Sequence, residues 1–185
     1  MSTIVKRNMN KTEILLKQNR HLFHTRDLRI LWQLDNPETL RRTISRYIKK
    51  GTLIPIYRGF YSTLPLEKID QLELGATAIH EYSYVSTETV LVQNGIIFQN
   101  ILAYTFCSTK TKSIHIGDNT YKSRQLKDTY LYNKTGIIDK GNYQIACPER
   151  AIADMLYFNP KYYFDAKDQM NQDLFQTIRK EVYGI

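Results

Sequence analysis

Cysteine, tryptophan and long apolar runs are what this sequence has least of. Its two cysteines, Cys107 and Cys147, stand far apart and form no CxxC pair. That excludes a disulfide framework and points to reduced thiols in a cytoplasm. No apolar run approaches the roughly eighteen residues of a membrane span. The first residues, MSTIVKRNMNKTE, are basic but precede no hydrophobic region, so they do not read as a signal peptide. A cytoplasmic protein without a membrane partner is expected.

Chemistry-bearing motifs are equally sparse. His21, His24, His80 and His115 show no HExxH or paired Cys/His spacing, so no metal site is expected. Neither Ser83 nor Ser86 lies in a GxSxG elbow, and no glycine-rich phosphate loop or DxD pair occurs. Asp165-Ala166-Lys167 matches the end of a PD-(D/E)xK nuclease motif, but no convincing strand precedes it. Glu149, Arg150 and Asp154 do not all share one helical face. Glu149 reads as a first-turn charge, and the other two as a buried or surface ion pair. No catalytic residue and no cofactor is expected.

What is present is positive charge, and it is unevenly placed. Residues 1–64 hold 13 Lys and Arg against 4 Asp and Glu, whereas residues 65–185 hold 13 against 14. The field of the whole chain, net +8, therefore belongs to its first third. A nucleic acid or another anionic surface is the partner such asymmetry suggests.

That third is organised around Asn36–Tyr61, NPETLRRTISRYIKKGTLIPIYRGFY. Asn36 is a good N-cap, Pro37 suits the first helical position, and Glu38 complements the positive helix end. Leu40, Ile44, Tyr47 and Ile48 form one apolar stripe, with Arg42, Ser45, Arg46 and Lys49 on the opposite side. Gly51 ends the helix after Lys49 and Lys50. Two β-prone runs follow, Thr52–Ile56 and Phe60–Thr63, joined at Tyr57-Arg58-Gly59. Ahead of them, Lys11–Asn19 reads as a helix with Ile14, Leu15 and Leu16 inward. A second helix is capped by Thr25, with Asp27 in its first turn and Leu28, Leu31 and Trp32 inward. A basic third helix leading into an arginine-tipped hairpin is the layout of a winged helix-turn-helix. The expected DNA-binding residues are Arg41, Arg42, Ser45, Arg46, Lys49, Lys50 and Arg58. Residues 1–9 read as disordered or as a basic arm.

The expected fold class is α+β: a winged helix-turn-helix at 1–64, then a mixed α/β domain at 65–185. In the second domain, Pro65 starts a helix to about His80, either bridging the modules or supporting dimerisation. Ser86 caps a helix that closes at Gly95. Strands are expected at Leu102–Cys107, Ser113–Ile116, Thr129–Tyr132 and Tyr143–Ile145. Pro148 starts a helix with Ala151, Ile152, Met155 and Leu156 on its core face, and Gln172–Val182 forms the last.

Three segments together resemble the AbiEi family, the antitoxin and transcriptional-regulator half of type IV toxin–antitoxin systems. They are TLRRTISRYIKKGTLIPIYRGFYS, then YVSTETVLVQNGII (Tyr84–Ile97), then CPERAIADML (Cys147–Leu156). Val90 and Asn94 stand where that family more often has Ala and His, and Cys147 where it has a capping Ser. The resemblance implies a repressor of its own operon, bound to double-stranded operator DNA at an inverted repeat. It also implies a C-terminal domain that counteracts a nucleotidyltransferase-like toxin. From the residues alone, a protein-interaction module anchored by a non-specific DNA-binding basic domain remains the alternative.

Overall fold

The structure, a computed structural model, describes residues 10–166 and 170–185. The suggested basic arm at 1–9 and Lys167 of the nuclease-like tripeptide lie outside the described residues. The chain is a mixed α+β protein that divides into two compact units between Ile69 and Asp70, five residues beyond the expected boundary.

Unit 1 begins with α1 (Lys11–Leu16), β1 (Leu22–His24), α2 (Thr25–Trp32) and α3 (Pro37–Lys49), and ends with β2 (Ile54–Tyr57) and β3 (Phe60–Ser62). α3 starts where the sequence indicates. The Asn36 side-chain oxygen accepts from the Glu38 and Thr39 amides at 2.9 and 3.0 Å, satisfying two donors that the first turn leaves free. It stops at Gly51, whose φ of +69° suits a residue without Cβ, while the Thr52 amide returns to the Tyr47 carbonyl at 3.0 Å. α2 is capped one residue earlier than expected: Thr25 is its first helical residue, and the His24 amide donates to Asp27 Oδ2 at 2.8 Å.

The sheet order is β1-β3-β2, all antiparallel. β1 was not foreseen; three residues are too short to show alternation. Leu15, Phe23, Leu28, Trp32, Leu40, Ile44, Tyr47 and Leu53 form the core, with Ile48 and Leu31 partly buried against it. Leu16, expected inward, is 66% exposed, because α1 ends at that residue and turns only Leu15 into the core.

Unit 2 is a six-stranded mixed sheet with helices. Its strands are β4 (Ser83–Val85), β5 (Tyr104–Ser108), β6 (Lys112–Ile116), β7 (Asn119–Gln125), β8 (Ile137–Asp139) and β9 (Gln144–Ala146), in the order β6-β7-β5-β4-β9-β8. β4–β9 and β5–β7 pair in parallel, the other neighbours antiparallel. Its helices are α4 (Gln71–Ile79), α5 (Glu88–Gln93), α6 (Asp128–Leu131), α7 (Pro148–Phe158) and α8 (Gln172–Ile178), the last continued by a π-turn at Arg179–Tyr183. α4 lies close on the sheet: a Cβ at Gly75 would stand 2.4 Å from the Tyr121 ring and 2.6 Å from that of Phe106.

Several expectations are corrected here. The helix from Pro65 is instead a 3-10 turn at Leu66–Lys68, followed by α4, because Asp70 caps the Leu72 and Glu73 amides at 2.7 and 3.1 Å. Thr129–Tyr132 is helical, not a strand. The Lys127 carbonyl accepts from the Tyr130 and Leu131 amides at 2.9 Å, and Leu131 is buried, so packing overrides β propensity. Ser86 is no N-cap but a buried hydroxyl; α5 starts at Glu88 after Thr87, held at φ +53°. Leu102, placed in a strand by the sequence, is 88% exposed, and β5 starts at Tyr104. β4, β7 and β8 lie outside the strands the sequence predicts.

Candidate nucleic-acid interface

α3 presents two faces. Leu40, Thr43, Ile44 and Tyr47 are buried, which fixes the rotation of the helix and turns the other side to solvent. Arg41, Arg42, Ser45, Arg46 and Lys49 line one shallow groove of about 580 Å³ along that side. Lys50 is exposed at the C-cap and does not line the groove.

Arg58 enters from the hairpin. The bond that places it joins residues far apart in the chain: the Thr25 amide donates to the Gly59 carbonyl at 2.9 Å, tying the hairpin tip to the start of α2. Gly59 itself has φ +89°, which the tight turn requires. Arg58 and Arg41 thereby share a second cleft of about 440 Å³, floored by Leu40, Ile44 and Tyr61. Of the seven residues singled out in the sequence, six thus gather on two adjoining concavities of one unit.

The charges differ in how they are engaged. Arg41 and Arg42 both reach Glu38, at 3.1 and 3.0 Å, with 79% of each arginine side chain exposed. Such exposed pairs are worth a few tenths of a kcal/mol to about 1 kcal/mol, and an incoming phosphate competes with them easily. Arg46 lies over the Tyr47 ring at 5.9 Å. Arg46, Lys49, Lys50 and Arg58 have no ion-pair partner among the described residues. Ser45 adds a short hydroxyl between them. The arrangement offers guanidinium forks and ammonium groups to an extended anion, and forks can also meet base edges.

The sequence's second reactive-looking group, Glu149-Arg150-Asp154, is a different object. Arg150 and Asp154 are both fully buried and joined at 2.9 Å. Every Arg150 nitrogen is used: Nη1 on the Asn133 and Thr135 carbonyls, Nη2 on the Tyr130 carbonyl and the Tyr84 hydroxyl, Nε on Asp154. Asp154 accepts in turn from Ser86 at 2.6 Å, Tyr84 at 3.0 Å and the Tyr183 hydroxyl. Burial would lower the Arg150 pKa, but the adjacent Asp154 charge outweighs it and holds it above the ordinary arginine value. Burial, reinforced by Asp154, pushes the Tyr84 and Tyr183 hydroxyls well up. Nothing in this cluster is left to meet a substrate.

Glu149 is corrected as well. It is 7% exposed rather than a surface charge, and its Oε1 accepts from the Asn171 amide at 2.9 Å. Leu156, expected in the core, is only half-buried. Cys147 does cap α7, accepting from the Arg150 amide at 3.4 Å through sulfur. Burial pushes its thiol up to about 11 and that of Cys107 well above the ordinary range, so neither is a thiolate nucleophile at neutral pH.

Among the described residues no group of three His, Cys, Asp or Glu could hold a metal ion, and no helix is long and apolar enough to cross a membrane. No protein-family model matches the chain, and neither does any curated protein sequence.

Proposed function

We propose that this protein is a duplex-DNA-binding transcriptional regulator, with unit 1 acting as a winged helix-turn-helix. The observation that carries this reading is the solvent face of α3. It concentrates Arg42, Arg46 and Lys49 in one groove, with Arg58 of the hairpin beside it and Leu40, Ile44 and Tyr47 buried on the opposite side. The element order α1-β1-α2-α3-β2-β3 supports it, since in a winged helix-turn-helix the third helix is the reader and the hairpin after it the wing. More particularly, the function is that of an AbiEi-like antitoxin that represses its own operon in the cytoplasm, with unit 2 counteracting a nucleotidyltransferase-like toxin. The support for this narrower reading is the resemblance of the three quoted segments.

The test is a footprint of the full chain on the DNA preceding its own gene. A protected inverted repeat is expected, with affinity falling as salt rises at a slope near −0.9 per phosphate contacted. Equal affinity for unrelated duplexes would instead make α3 a non-specific anchor. Rescue of growth during expression of a nucleotidyltransferase-like toxin encoded alongside checks the narrower reading.

A further inference from the structure

Unit 2 contains a groove of about 540 Å³ that the DNA reading does not use. Its wall is a tyrosine triad. Tyr130 lies 5.4 Å from Tyr157 and 4.8 Å from Tyr183, and Tyr157 lies 5.8 Å from Tyr183. Tyr157, on α7, is 43% exposed, so part of this aromatic surface is open. Phe175 and Leu156 supply apolar lining, and Arg179 lines the same groove.

All but one of the polar side chains there keep their donors for a ligand. Arg179 stands 5.8 Å over the Phe175 ring and has no ion-pair partner among the described residues. Tyr183 spends its hydroxyl on Asp154, which locks the back of the triad to the buried network. The Tyr130 and Tyr157 hydroxyls donate to no described residue. The π-turn from Arg179 to Tyr183 brings both of its end residues to the groove, and such wide turns recur at binding sites.

We propose that this groove binds a small planar anion, an aromatic ring bearing a carboxylate or a phosphate. The ring packs against Tyr157 and Leu156, and the anion meets the Arg179 guanidinium with a tyrosine hydroxyl beside it. A cation is disfavoured by Arg179, among the described residues the one charged side chain that lines the groove. A purely apolar ligand would strip water from the guanidinium and give nothing back. A cleft of this size lies in the range of small-ligand sites rather than of flat protein contacts.

The experiment is calorimetric titration of the full chain with salicylate and with AMP, which separate carboxylate from phosphate. Benzamidine serves as the cationic ring and cyclohexanecarboxylate as the anion without a π face. Saturable one-to-one binding of salicylate or AMP is expected, at least about tenfold tighter than either control. Arg179→Gln should weaken it by about tenfold or more, and Tyr157→Leu by several-fold, with melting temperatures unchanged. Absence of saturable binding by both anions would overturn the proposal. So would benzamidine binding as tightly as salicylate in the unmodified chain, a result independent of any variant's folding. Duplex-DNA affinity of both variants should stay at the unmodified value, so the groove and the DNA reading fail or stand separately.

Discussion

Arginine does opposite work in the two units. Arg150 in unit 2 is fully buried, with its forked head divided among a carboxylate, a tyrosine and three carbonyls. Arg46 in unit 1 stands on an exposed face with only the Tyr47 ring beneath it. A guanidinium that has exchanged all its water for protein acceptors can order a fold but can bind nothing more. One still hydrated keeps its donors for a ligand and contributes little to stability. The difference lies in the neighbours: it gives Arg150 a structural role and leaves Arg46 free for the DNA contact proposed above.

The largest test of that contrast is Arg150→Ala. It leaves Asp154 buried and uncompensated, and also orphans the Tyr130, Asn133 and Thr135 carbonyls. Urea unfolding should show a loss of about 3–5 kcal/mol. The same measurement on Arg46→Ala should move by no more than about 0.5 kcal/mol. Equal costs for both would erase the distinction.

Alkali probes the same buried chemistry. Burial holds the Tyr84 and Tyr183 hydroxyls well above the ordinary value of 10.0, and Tyr121 up to about 12. Below pH 10 both the folded and the unfolded chain keep these protons, so nothing is lost. Above it the unfolded chain ionises while the fold does not, and stability falls by up to about 1.4 kcal/mol per pH unit for each tyrosine. Tyr121→Phe should make that decline shallower by about one proton, read from unfolding free energies between about pH 10 and 12, the window in which the two states differ. A slope unchanged by the substitution would show that Tyr121 ionises in the fold.

The exposed side of the contrast is tested by binding. Arg46→Ala should cost roughly 1–3 kcal/mol of duplex affinity and relax preference at one base pair if its fork reads a base. Lys49→Ala should weaken all duplexes alike and flatten the salt slope by about one unit. A panel of single-base variants of the footprinted duplex separates the two patterns. Uniform losses from both would make α3 an anchor and give the reading to the hairpin.

Unit 1 was legible in the sequence because its signals are local. Asn36, Pro37 and Gly51 mark the ends of α3, and the period of Leu40, Ile44 and Tyr47 sets its buried face. Arg58 could be placed at a hairpin tip, although the Thr25–Gly59 bond that holds it there joins distant residues and left no mark. Unit 2 was harder for a physical reason. β7 buries Tyr121 and Ser123 but carries Lys122, Arg124 and two amides, so its alternation is not hydrophobic. Ser86, Glu149, Arg150 and Asp154 are polar residues at core positions, and only long-range partners make that burial tolerable. Glu149 and Leu156 exchanged their expected roles because a helix of 11 residues buried across most of its surface has no clear outward face.

The smallest expected effect is the sharpest test of how hydrated Arg41 and Arg42 are. Glu38 holds Arg41 and Arg42 on the first turns of α3, at 3.1 and 3.0 Å, while its own side chain is 49% exposed. It acts in two opposed ways. Near the helix N-terminus its charge stabilises α3 by about 0.3–1 kcal/mol, and its carboxylate competes with phosphate for both guanidinium groups. Glu38→Gln removes the charge and keeps the shape. Unfolding free energy should therefore fall by a few tenths of a kcal/mol, while duplex affinity rises about twofold and the salt dependence steepens. Both measurements are needed, because opposite signs are the signature. Affinity that falls together with stability would show that Glu38 positions the arginines for DNA rather than competing for them, and Arg42 would then belong with Arg150 as a residue whose partner defines its work.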